Sequence, residues 1–149
     1  MSEKKTIEEY INENGSLVYT NVGVSMMPLL RQGKDVFTIR KKGQERCKVG
    51  DVVLYKRPPS SYVLHRIIEV KDDSYVIMGD NCVSKEYGIK DSDIIGIMTD
   101  YSRNGKNHTV DEMGYKAYSF TVLHTIPVRR GAKLFIAKAK KAIKKIIKK

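Results

Sequence analysis

Ser25, His65 and Asp80 are the residues of this chain whose types could together do chemistry. A hydroxyl, an imidazole that titrates near neutral pH and a carboxylate to orient the ring are what an activated serine nucleophile requires. The serine lies in Gly23-Val24-Ser25-Met26-Met27-Pro28-Leu29-Leu30, where a glycine turn precedes it and a proline stiffens the backbone three residues on. The histidine lies in Leu64-His65-Arg66 and the carboxylate in Gly79-Asp80-Asn81. Each segment alone has an ordinary structural use; Asp80 before Asn81, for example, suits a side-chain-capped turn. Their order and spacing along one chain are what suggest acyl transfer.

The elements that must position these groups are mostly strands. Thr6-Ile7-Glu8-Glu9 fits a capping box and predicts a short helix over residues 6–13, stopped by Asn14-Gly15. Leu17-Val18-Tyr19 with Val22 and Val24 reads as a strand running into the serine turn. Two-residue alternation predicts a strand over 36–40, and further strands follow over 52–55, 62–70, 75–78 and 94–98, with Gly, Asp and Pro turns between them. The strand over 62–70 carries His65. This pattern implies a predominantly β domain spanning residues 1–128. Residues 111–128 read equally as helix or strand.

The 149-residue length suits one domain with a real core, and an apolar fraction of 41% argues against disorder. Cys47 and Cys82 form no disulfide framework and no metal-ligand spacing, so two free thiols in a reducing compartment are expected, with no metal and no cofactor. The charged start of the chain lacks the apolar core of a signal peptide, and no run reaches the roughly 18 to 20 apolar residues that a bilayer span needs. A soluble or peripheral protein of the cytoplasm is expected.

The net charge of +11 is concentrated at one end. From Arg129 to Lys149 there are ten Lys/Arg and no acid, which leaves 18 basic against 17 acidic residues in the first 128. On a helical wheel Phe135, Ile136, Ala139, Ala142, Ile143, Ile146 and Ile147 share one arc. Lys133, Lys138, Lys140, Lys141, Lys144, Lys145, Lys148 and Lys149 take the other. A lysine face opposite an isoleucine face is the pattern of a helix lying on an anionic membrane surface. A helix docked on the body with a solvated basic face is the plainer reading. A nucleic-acid tail is disfavoured by the absence of interleaved aromatics for base stacking.

Taken together, the Ser25 segment through Gly33, Val49-Gly50-Asp51-Val52-Val53, Leu64-His65-Arg66-Ile67-Ile68-Glu69-Val70 and Gly79-Asp80-Asn81 resemble the S24/S26 peptidase superfamily. Within it the chain is similar to the Ser-His type of signal peptidase I. The similarity covers about residues 17–100, with four motifs in the family's order. It implies strongly bent antiparallel sheets and a shallow groove for an extended peptide, with Ser25 as nucleophile and His65 as general base. It implies that Gly23, Val24, Met26, Met27 and Pro28 flank the bound peptide, although Met26 and Met27 equally suit a core. The third member expected a few residues after the Gly-Asp-Asn box falls at Lys85-Glu86, so Glu86 and Asp80 both stand as partners for His65. Gly23 occupies a position where the family often has a serine that helps hold the oxyanion, and the family's usual spanning segment is missing. The expected activity is a serine endopeptidase at the inner membrane surface that cuts a leader or other extended peptide. The alternative is a catalytically impaired peptide-binding module of the same fold.

Overall fold

A computed structural model describes residues 4–148 as a mostly antiparallel β-sheet with three α-helices. Helix α1 (Ile7–Asn14) is capped as its sequence dictates. The Glu9 amide donates to the Thr6 hydroxyl at 3.2 Å and the Thr6 amide to the Glu9 carboxylate at 2.8 Å. Gly15, at φ +79°, ends it in the left-handed conformation that glycine adopts without a side-chain penalty. The strands are β1 (Ser16–Thr20), β2 (Val36–Lys41), β3 (Val52–Arg57), β4 (Ser61–Val70), β5 (Tyr75–Met78), β6 (Glu86–Ile89), β7 (Ile94–Arg103) and β8 (Lys106–Thr109). Their order in the sheet is β1-β2-β7-β3-β4-β5-β6, with β8 paired to β7.

Two strand expectations need correction, and the open reading of residues 111–128 resolves as helix. Strand β1 stops at Thr20, so Val22 and Val24 lie in the loop beyond it. Strand β7 does not close the series at residue 98. It runs on to Arg103 and turns at Asn104-Gly105 into β8, both turn residues having positive φ. Residues 113–124 form helix α2 (Met113–His124), and α3 (Ile126–Ile147) begins three residues ahead of the expected boundary at 129, with Pro127 in its first turn.

The sheet is covered on both sides in its centre, and β3 is buried along Val52 to Tyr55. Alternation divides these side chains. Val52 and Leu54 join a core with Ile11, Met26, Leu30 and Met98, whereas Val53 and Tyr55 join a second core with Ile67, Tyr75 and Ile77. Register shifts interrupt four of the pairings, at Thr38/Ile39, Leu54/Tyr55, Ile67/Glu69 and Tyr75/Ile77. Such irregularities bend strands and re-aim the side chains beside them.

Period-two alternation also sends His65 and Arg66 to opposite faces of β4. Arg66 is fully buried and grips Asp80 with two parallel bonds, Nε to Oδ1 and Nη2 to Oδ2, both 2.8 Å. Its remaining nitrogen, Nη1, donates to the Gly50 carbonyl at 2.9 Å, to the Ser119 hydroxyl at 2.8 Å and to the Tyr115 hydroxyl at 3.2 Å. The Tyr118 hydroxyl donates to Asp80 Oδ2 at 2.9 Å. One guanidinium therefore joins β4, the Gly79-Asp80-Asn81 loop and α2.

Arg66→Met leaves the Asp80 carboxylate buried without its cation. It is expected to lower unfolding free energy by about 3–5 kcal/mol, read from the denaturant midpoint. Adding Asp80→Leu to that variant is expected to recover part of the loss, because no buried charge is then unpaired.

Candidate active site

Ser25 sits in a loop, residues 21–35, that is fixed at several points. Buried Asn21 donates its side-chain amide to the carbonyls of Gly23 and Leu30, both at 3.1 Å. Buried Asp35 accepts from the Arg31 amide at 2.7 Å and pairs with the Arg31 guanidinium. Arg103, the last residue of β7, donates to the Pro28 carbonyl at 2.9 Å. From the other side Asn81 holds the Ser25 segment twice, with its amide on the Ser25 carbonyl at 2.8 Å and its side chain on the Val24 carbonyl at 3.0 Å. Gly23 has φ +94°, a conformation L side chains rarely adopt, so a serine at this position would be strained.

Ser25 and His65 line one cleft of about 400 Å³ together with Arg57, Val63, Leu64 and Cys82. Gly79 is the point of closest approach. A Cβ on it would lie 2.7 Å from the Ser25 carbonyl, 3.0 Å from His65 Nε2 and 2.6 Å from Cys82 Sγ. The Nε2 edge of the ring and the Ser25 carbonyl therefore both border Gly79, where any side chain would clash with them. Asn21, Val22, Tyr62 and Leu64 continue from this cleft into an apolar pocket of about 280 Å³ that Tyr19, Phe37 and Leu54 help to line.

The carboxylate at the ring is that of Glu86. Its Oε1 lies 3.3 Å from His65 Nδ1, and the Tyr55 hydroxyl is also 3.3 Å from Nδ1. Arg57 binds the same carboxylate and, at 3.4 Å, the Tyr55 hydroxyl. A carboxylate beside Nδ1 favours the proton on that nitrogen and leaves Nε2 as a lone-pair acceptor. Burial pushes His65 below its ordinary pKa of about 6.5, and the Glu86 charge opposes that shift only partly, so the ring is neutral at pH 7. Burial works against ionisation of Glu86, but hydrogen bonds from Arg57 and Tyr55 outweigh it and hold the carboxyl below the usual range. Burial raises Tyr55, with Glu86 adding to the effect, so its hydroxyl keeps its proton.

Asp80 is corrected as the direct partner of His65. It lies on the opposite face of β4, fully engaged with Arg66 and Tyr118, and acts on the ring only through the loop it anchors and its distant charge. Met26 is corrected as well. At 1% exposure it is part of the core, and it anchors the loop from below instead of flanking a peptide. Met27 is half-buried, and Val24 and Pro28 are exposed on the loop's outer surface. Tyr55, Arg57 and Asn21 were not anticipated. Nothing local marks them, since the first two act only because the β3–β4 pairing brings them beside the end of β4.

Both cysteines are free; burial raises the thiol of Cys47 to about 11 and also raises that of Cys82. Among the described residues, no group of three or more His, Cys, Asp or Glu is placed to hold a metal ion. His108 pairs with Glu112 at 3.0 Å, away from the cleft, and Asp51 accepts from the Lys48 amide in a turn. No protein-family model, curated protein or solved structure matches the chain.

Gly79→Ala is expected to destabilise the protein by about 1–3 kcal/mol through overpacking and to shift the His65 ring resonances. Gly43→Ala, which meets nothing within 4 Å, is the matched control and should do neither. Denaturant unfolding and NMR of the imidazole nitrogens provide the measurement.

Proposed function

We propose that the chain is a serine endopeptidase of the signal-peptidase type, with Ser25 as nucleophile, His65 as general base and Glu86 as the carboxylate that orients the ring. The observation that carries this reading is the convergence of three separate segments on one cleft. There a neutral imidazole has a carboxylate at Nδ1, and its Nε2 edge and the Ser25 carbonyl both border Gly79. The substrate is an extended peptide, a leader or similar segment. It lies along the outer edge of β1, the end strand of the sheet beside the cleft. Cleavage follows a small side chain.

In the acylation step His65 Nε2 takes the Ser25 hydroxyl proton as Oγ bonds to the scissile carbonyl carbon. The carbonyl oxygen becomes an oxyanion, for which the Ser25 backbone amide is a donor. Collapse breaks the C–N bond, and the imidazolium returns its proton to the leaving amine. Water then attacks the acyl-enzyme by the same route and frees the acid. The Glu86 carboxylate stabilises the transient imidazolium, and Arg57 and Tyr55 fix that carboxylate in place. The signal-peptidase-like fold is part of this proposal. It is supported by the antiparallel sheet, the bulged strands and the order of the four motifs.

The alternative, a catalytically impaired binding module, draws on Gly23 and on Lys85-Glu86 standing where an aspartate is expected. Glu86 stands at the ring, so Gly23 is the observation that still favours this second reading. No helix in the described structure is long and apolar enough to cross a membrane. Attachment to the inner face of a membrane is assigned to α3 as part of the same proposal.

Ser25→Ala is expected to abolish cleavage of a diverse peptide library, read by mass spectrometry against the wild type. Equal cleavage by both would remove the assignment, and peptide binding without products from either would favour the binding module. The wild-type rate should fall on the acid side, at a pH below the ordinary histidine value near 6.5, as His65 gains its proton. Glu86→Gln removes a charge that raises the His65 pKa. The acid limb is therefore expected to move to still lower pH while the plateau rate drops. A limb that moves upward contradicts the assigned role of Glu86.

A further inference from the structure

Helix α3 is attached to the body by buried Ile126 in its first turn and by the basic side chains that follow, not by the apolar stripe beyond them. Arg129 Nη1 donates to the Asp80 carbonyl at 2.6 Å and Arg130 Nε to the Val83 carbonyl at 2.6 Å. Lys133 Nζ donates to both the backbone and the side-chain oxygen of Asn81 at 2.5 Å. Lys133 is thereby corrected as a membrane-facing residue, because its amine is spent on the loop that holds Ser25. At about 100° per residue, these three lie on the side of the helix opposite Val128, Phe135 and Ile146. Those three are each 74% exposed, so this part of the apolar stripe points away from the domain; Ile147, which falls at the angle of Arg129, is 77% exposed beyond the attached turns.

Beyond Lys133 every described residue of the helix is exposed, Lys138, Lys140, Lys141, Lys144, Lys145 and Lys148 among them, while Lys149 lies outside the described residues. Lys140 with Lys144, Lys141 with Lys145 and Lys144 with Lys148 are like charges four apart, which destabilise a helix in water. A second copy of the helix would bring more lysines against these, because the sequence has no acid after Glu112. An anionic bilayer supplies both missing partners, apolar depth for the stripe and negative headgroups for the lysines.

We propose that an anionic lipid surface is the occupant of the outer face of α3, and that by ordering the helix it seats Lys133 on Asn81 and so braces the Ser25 segment. The chain of contacts is short: Lys133 to Asn81, and Asn81 to the carbonyls of Ser25 and Val24. Lipid regulates the site through this brace, and the catalytic consequence rests on the peptidase reading, whereas the brace itself does not. Lys133 is a positioning residue.

The test uses the full chain with phosphatidylglycerol-containing vesicles and with phosphatidylcholine vesicles. Co-sedimentation, amide exchange of the segment 79–83 and hydrolysis of the peptide library are followed together. Sedimentation with the anionic vesicles alone is expected, and it should weaken at high salt. Exchange of segment 79–83 is expected to slow by a factor on the order of 5 to 150, the usual range for coupled sites. Lys133→Met should still sediment but lose the slowing, and Lys133→Arg, which keeps donors, should restore it. Lys141→Met, remote from the body, should leave the slowing intact at saturating lipid. Vesicle binding that leaves the exchange unchanged overturns the coupling. Failure to sediment, with concentration-dependent dimers in the ultracentrifuge, assigns the stripe to a second copy and overturns the proposal. Slowed exchange with no hydrolysis would leave the brace standing and remove the peptidase reading.

Discussion

The buried pair of Arg66 and Asp80 is the interaction on which the rest of this structure depends. Arg66 is inside the protein with no exposed surface, so its charge is tolerable only because a carboxylate, two hydroxyls and a carbonyl satisfy its donors. Satisfying it fixes three elements at once. Asp80 brings the loop that contains Gly79 and Asn81, Ser119 and Tyr115 bring α2, and Gly50 brings the turn before β3. This pair ties the segment beside Ser25 and His65 to β4 and α2.

That anchor explains the division of labour between the two carboxylates. Asp80 is committed to structure on one face of β4, and Glu86 is left to serve the imidazole on the other. The same separation keeps the electrostatics of the cleft simple. One carboxylate lies against the ring, with Arg57 and Tyr55 holding it ionised, and the buried Asp80 charge is largely neutralised by its own partner. A neutral His65 at pH 7 is the outcome of burial only partly offset by Glu86.

The helical tail extends this logic outward. Its first turns bond to the carbonyls of Asp80, Asn81 and Val83, so the loop rests on the core through Arg66 and on α3 through Arg129, Arg130 and Lys133. The face that carries Val128, Phe135 and Ile146 is then directed away from the domain. This follows from the 3.6-residue period once the basic side is fixed against the body.

Elements with a strong local signal were legible in the chain. The Thr6–Glu9 capping box, the alternation in β2 and β4 and the lysine-isoleucine division of α3 follow from residue spacing alone. So does the placement of Ser25 and His65 as the reactive pair to be tested. Helix α2 was not legible, because its buried residues, Tyr115, Ser119 and Val122, include a serine whose role is to accept from Arg66. Strand β6 was missed because it is four residues long and contains Gly88 at positive φ. The choice between Asp80 and Glu86, the inward position of Met26 and the commitment of Lys133 to Asn81 were decided by tertiary structure. Each depends on which face of a neighbouring element a side chain meets, and sequence spacing fixes faces within an element but not the pairing between elements. The sequence determined which residues could react and which helix could meet a membrane; packing decided which carboxylate reaches the imidazole and which lysine remains free.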